Sequence, residues 1–108
     1  MKTYKDKFIP KSIKTPGDLL IKSILKRGIS VSELAKYSRI SVALVSAMMS
    51  NDRTISALNS IRLSNVLKCF TPNELLYLQA NYLIEKELNK VKSFDKLKNI
   101  SKLVIQSV

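Results

Sequence analysis

The chain has 108 residues, 45% hydrophobic and 25% charged, a balance that suits one packed domain and argues against a disordered chain. It carries 19 basic against 8 acidic side chains, with no histidine and a single cysteine. That inventory leaves no Ser-His-Asp or Cys-His machinery, no internal disulfide and no ligand set for zinc. The expectation is therefore a non-enzyme with no cofactor and no metal, in a reducing, cytoplasmic setting. No run of about 18 apolar residues is present, so no membrane span is expected.

The positive charge is uneven. Residues 1–14 hold five lysines and one acid, residues 15–85 eight basic and five acidic residues, and residues 86–108 six lysines and two acids. Most of the excess lies at the ends, and clustered lysine and arginine fit a polyanionic partner through counterion release.

Residues 1–14 read as a basic arm broken at Pro10, with Phe8, Ile9 and Ile13 able to tack it onto an apolar surface. The start of the lysine-rich segment lacks the apolar core of a signal peptide. Thr15-Pro16-Gly17-Asp18 opens a first helix, with a capping threonine, proline at the first position and an acid at the positive end. Leu20, Ile21, Ile24 and Leu25 are expected on its apolar face, and Gly28 closes it in the left-handed conformation. Ser30 and Glu33 form a Ser-x-x-Glu capping box for a second helix, and Ser41 caps a third. Ser56 caps a fourth helix carrying Leu58, Ile61, Leu63, Val66 and Leu67. Thr71-Pro72-Asn73-Glu74 opens a fifth, which is expected to end near Asn89. A last amphipathic helix is expected after Ser93, with Phe94, Leu97, Ile100 and Val104 as its stripe. Strand-like alternation is absent. The organisation is all-α: an arm over 1–14, a five-helix domain over 15–89, and a short amphipathic C-terminal helix within 90–108.

Residues 31–50 fit a helix-turn-helix. Three or four residues between two short helices force a steep crossing. Ala35 supplies the small side chain where the helices pass closest, and Val45, ten positions later, packs back into the angle. Leu34, Ile40 and Met48 complete this small core. Met49 reads as core filler, Cys69 as a small buried hydrophobe, and Tyr77 and Tyr82 as core or subunit contacts.

A wider pattern surrounds this unit: Pro16-Gly17-Asp18-Leu19-Leu20, Gly28-Ile29-Ser30, Glu33-Leu34-Ala35, Ile40-Ser41, Val45-Ser46, Ser50 through Ser56, and Leu78-Gln79-Ala80-Asn81-Tyr82. Over residues 15–85 it resembles the HigA (VapI) antitoxins of the phage-repressor-like (XRE) superfamily. The resemblance implies a repressor-like five-helix domain that dimerises, represses its own operon through an inverted-repeat operator on double-stranded DNA, and neutralises a small HigB-like ribonuclease toxin. It also implies that Ser41, Val42, Ala43, Ser46 and Ala47 form the base-reading face. Lys36, Arg39, Asn51, Arg53, Thr54 and Ser56 are the phosphate candidates. Arg39 stands where the template has glycine, at a positive-φ turn position that costs a non-glycine residue about 1 kcal/mol.

The reading face is small and mostly apolar, where related repressors often carry Gln or Arg. Two readings stay open. Val42, Ala43 and Ala47 pack on thymine methyls and backbone contacts do the rest, or the fold persists with DNA recognition weakened. The alternatives to a toxin-linked repressor are a protein-binding inhibitor with little DNA affinity and a phage-type regulator with no toxin.

Overall fold

The computed structural model describes residues 12–98, and their side chains as far as Lys92. Five helices make up this part and no strand occurs among the described residues: α1 (Pro16–Arg27), α2 (Val31–Ser38), α3 (Val42–Met49), α4 (Ala57–Leu67) and α5 (Pro72–Lys98).

Each start is written in local chemistry. The hydroxyls of Thr15, Ser30, Ser41 and Ser56 accept the backbone N–H three residues on, at 3.1, 3.0, 3.1 and 3.1 Å. At α2 and α5 the box is reciprocal, because Glu33 accepts from Ser30 N at 2.8 Å and Glu74 from Thr71 N at 2.7 Å. Two otherwise unpaired donors are satisfied at each of these helix starts. Gly28 ends α1 at φ 68°, and Arg39 ends α2 at φ 61°, so the arginine does take the left-handed turn position.

Leu20, Leu34, Val45, Leu63, Leu67 and Leu75 are fully enclosed, with Met48, Leu19, Ala35 and Ile55 nearly so. α2 packs on α3 and α4, α1 on α3 and α5, and α4 on α5. Burial of this order is the main favourable term in such a fold.

Three expectations about packing faces are corrected. On α1, Leu25 is 75% exposed and Ile21 faces out, while Leu19, Ser23 and Ile24 go in. On α4, Leu58 and Ile61 are exposed, and the inward face is Ser60, Leu63, Ser64 and Leu67, spaced i, i+3, i+4, i+7. Serine is tolerated there because its hydroxyl bonds back into its own helix: Ser60 Oγ donates to Ala57 O at 2.6 Å and Ser64 Oγ to Ile61 O at 3.0 Å. With the polar atom satisfied, a small side chain admits the neighbouring helix more closely than leucine would. Ile13, assigned to the arm, is a core residue at 6% exposure, so the packed domain begins at least two residues before Thr15.

The boundary near Asn89 is corrected as well. α5 runs unbroken for 27 residues, through Ser93 to Lys98. No glycine or proline follows Pro72, and Lys, Glu and Leu are strong helix formers, so nothing forces Ser93 into the extended conformation of a cap. Residues 1–11 of the arm, and Ile100 and Val104 of the expected stripe, lie outside the described residues.

Candidate nucleic-acid interface

The unit that presents α3 is built on the joint between α2 and α3. Leu34, Ala35, Ile40, Val45 and Met48 are all at least nine-tenths buried. The turn is closed by Ile40 N donating to Ala35 O at 3.1 Å, and Ser38 Oγ donates to Leu34 O at 2.6 Å. Ala35 at 3% exposure and Val45 at 0% leave no room for a larger side chain at the crossing, which fixes the angle at which α3 leaves the body.

Of the five residues expected to read bases, Ser41, Val42, Ala43 and Ser46 are exposed and Ala47 is half-buried. Val42 at 48% exposure is the bulkiest of them. Ser41 Oγ accepts from Leu44 N, which leaves its own proton free to be donated. The face is therefore methyl-rich, with one hydroxyl at each end.

The cations stand around it. Lys36, Arg39 and Arg53 are exposed, as are Thr54 and Ser56. None of the three cations has an ion-pair partner among the described residues, where the only printed pair is Lys90–Glu87 on α5. The Lys36 ammonium lies 5.9 Å from the centre of the Tyr37 ring, a loose cation–π contact that leaves the charge in solvent. Ser56 serves as the α4 cap, so its contribution at a phosphate would come with the free N–H groups of that helix start.

Asn51 is the correction. It adopts φ 64°, and its side chain is turned into the protein: Oδ1 accepts from Gly17 N at 2.9 Å, and Nδ2 donates to Thr15 Oγ1 at 3.1 Å. It ties the end of α3 to the start of α1 and is no phosphate ligand. Replacing it with glycine, which suits the left-handed backbone but breaks both bonds, is expected to destabilise the domain by about 1–2 kcal/mol in urea unfolding. An unchanged midpoint would show the tie to be unimportant.

A second tie was not foreseen. The Gln79 amide on α5 grips the backbone of Ile55 from both sides, with Ile55 N donating to Oε1 at 2.7 Å and Nε2 donating to Ile55 O at 3.0 Å. The turn between α3 and α4, which carries Arg53 and Thr54, is thus held at one end by Asn51 and at the other by Gln79. Within it, Asp52 N and Arg53 N both donate to Ala47 O, at 2.8 and 3.3 Å. The sequence signal for this tie was Gln79 inside the Leu-Gln-x-x-Tyr motif, whose purpose only the fold reveals.

No three His, Cys, Asp or Glu side chains come together among the described residues, so no metal-binding cluster accompanies this face. Cys69 is half-buried, with Sγ 3.3 Å from Leu67 O. No helix of the described part is long and apolar enough to cross a membrane.

Exposed α3, its buried joint and the surrounding cations have a counterpart in a known family. The helix-turn-helix model HTH_3 matches residues 21–75, from within α1 to the first turn of α5. The chain belongs to the helix-turn-helix family. Among solved structures it is similar to an addiction module antidote protein of a HigA family from Coxiella burnetii. That match has 29% identity over 78% of this chain and 90% of the other, with a TM-score of 0.66. No curated protein matches. The likeness to HigA-type antidotes read from the motifs thus has a three-dimensional counterpart, and this helix-turn-helix domain is of the DNA-binding, XRE type.

Proposed function

We propose that the protein is a sequence-specific DNA-binding repressor of the antitoxin type, a homodimer that sets α3 of each subunit into successive major grooves of an inverted repeat. The observation that carries this reading is the exposed helix-turn-helix: a rigidly seated α3 showing Ser41, Val42, Ala43 and Ser46, flanked by Lys36, Arg39 and Arg53 without ion-pair partners among the described residues. Half-sites then lie about 10 bp apart, or a multiple of that. Methyl groups at Val42, Ala43 and Ala47 suit thymine C5-methyls, so the preferred sites are rich in A·T pairs and are read partly by groove shape.

Gel shifts on the DNA upstream of the gene, at two salt concentrations, test this. Arg53→Ala is expected to weaken binding to every sequence and lower the salt slope by about 1. Val42→Gln or Ala47→Gln is expected to change which sequence is preferred, because glutamine makes paired contacts to adenine. Unaltered preference in both glutamine variants would mean that α3 does not read the bases.

The similarity to a protein described as an addiction module antidote favours a second activity that is compatible with the first. In this reading the chain also masks a small ribonuclease toxin encoded beside it. Co-purification of such a protein, lost on deleting residues 1–14 or 90–108, supports it; an adjacent gene of unrelated kind leaves a regulator without a toxin.

A further inference from the structure

The second half of α5 leaves the body of the domain and shows solvent a set of apolar side chains that the core does not use. Ile84 is 57% exposed, Leu88 52% and Val91 52%. With Tyr77 and Asn81, both exposed, they fall at 77, 81, 84, 88 and 91. Those steps alternate four and three, the repeat of a coiled-coil seam. At 100° per residue this seam lies opposite the side of α5 that packs on the domain through Leu75, Gln79 and Tyr82. Its lower part continues into a shallow groove along Leu83, Ile84, Glu87, Leu88 and Val91.

We infer that this seam pairs with the same seam of a second copy, as a short parallel two-stranded coiled coil along α5. The inference rests on the repressor reading, since it names the surface through which that dimer forms. Two features select a second copy in parallel orientation. First, the residues beside the seam are complementary in that arrangement. Glu87 precedes one seam position and Lys92 follows the next, so Glu87 of each subunit faces Lys92 of the other across the pair, twice by symmetry. The existing contact of Glu87 with Lys90, 3.3 Å between side chains that are each 70% exposed, is a weak surface pair and is readily exchanged. Second, Asn81 is the single polar residue in the seam, placed where a buried asparagine pair fixes register and a two-stranded state. The repeat ends after Val91, because the next two seam positions are Asp95 and Lys98.

A parallel pair also places the two Gln79–Ile55 ties at one end of the assembly. Both turns that carry Arg53 and Thr54 then face the same way. Five seam residues per subunit are fewer than the roughly 20–30 that a standard interface uses on each side. The dimer is therefore weak when free and is completed on two half-sites of DNA.

Sedimentation of the full chain over a range of concentrations is the test, with circular dichroism to confirm that each variant is folded. The wild type is expected to show a reversible monomer–dimer equilibrium, and Leu88→Lys to raise its dissociation constant at least tenfold. Glu87→Lys weakens the pair, and adding Lys92→Glu to it restores the pair, a recovery that a merely structural role for either residue does not produce. Asn81→Cys, in a Cys69→Ser background, is expected to form a covalent dimer on mild oxidation, because equivalent seam positions meet only in the parallel register. A wild type that stays monomeric both free and on operator DNA overturns the inference. So does a dimer that ignores the charge exchange and forms no Asn81→Cys cross-link. A dimer with these properties that retards no DNA keeps the seam and overturns the repressor reading. A chain that occupies half-sites independently as a monomer overturns the seam alone.

Discussion

Gly17→Ala is expected to lower the stability of the domain by about 2 kcal/mol and its melting temperature by roughly 8–16 °C. Local propensity points the other way, since Gly17 lies in the first turn of α1, where alanine is the better helix former by up to about 1 kcal/mol. The tertiary contact reverses the sign. A Cβ built at Gly17 would sit 2.1 Å from the carbonyl oxygen of Met49 and 2.8 Å from its carbon. These are backbone atoms of the last turn of α3, so no flexible side chain is there to yield. The helices must separate, and Asn51, which binds Gly17 N from the same side, is displaced with them. Thermal unfolding followed by circular dichroism measures the effect. A melting temperature equal to or above the wild type would mean that α1 and α3 do not approach as closely as described.

Gln79→Leu carries the second large effect, and it acts on both stability and binding. Leucine keeps the bulk of the side chain and removes both of its bonds to Ile55. The backbone N–H and C=O of a residue only 3% exposed are then without partners. Unsatisfied groups of this kind cost about 1–3 kcal/mol each, and partial access of water places the pair near 2–3 kcal/mol together. The turn holding Arg53 and Thr54 also loses its anchor to α5. Measured where the variant is still folded, the salt slope of DNA binding is expected to fall by about 1, and Arg53→Ala in the Gln79→Leu background to weaken binding less than it does in the wild type. Gln79→Glu keeps an acceptor for Ile55 N but sets a carboxylate against Ile55 O, so it should recover only part of the loss. Full additivity of Arg53→Ala and Gln79→Leu would separate the tie from the phosphate contact.

Most of the secondary structure was legible because its signals are local. A hydroxyl three residues ahead of a carboxylate, a proline at the first helical position and a glycine past the last turn each act within a single turn of chain. Hence Thr15, Ser30, Ser41, Ser56 and Thr71 open helices where they were expected to. The α2–α3 joint was legible for a related reason. Two short helices with few residues between them have one close crossing, and Ala35 with Val45 marks it. What failed was the choice of face. Leu25, Leu58 and Ile61 are more hydrophobic than Ser23, Ser60 and Ser64, yet the serines are inside. Hydrophobicity ranks residues one at a time, whereas close helix approach rewards small side chains whose polar atom is satisfied within the helix.

The sequence by itself determined that this chain forms helices, where most of them begin, and that α2 and α3 meet at a steep angle. Those outcomes depend on interactions between residues within a dozen positions of one another. Only the tertiary structure decided that Asn51 is a tie and no phosphate ligand, that Gln79 holds the turn of Arg53, and that Ile13 belongs to the core. Asn51 meets Gly17, and Gln79 meets Ile55, across 34 and 24 residues of chain. An amide side chain has the same donors and acceptor whether it faces a phosphate or a backbone, and its partner is set by which helices the buried leucines bring together.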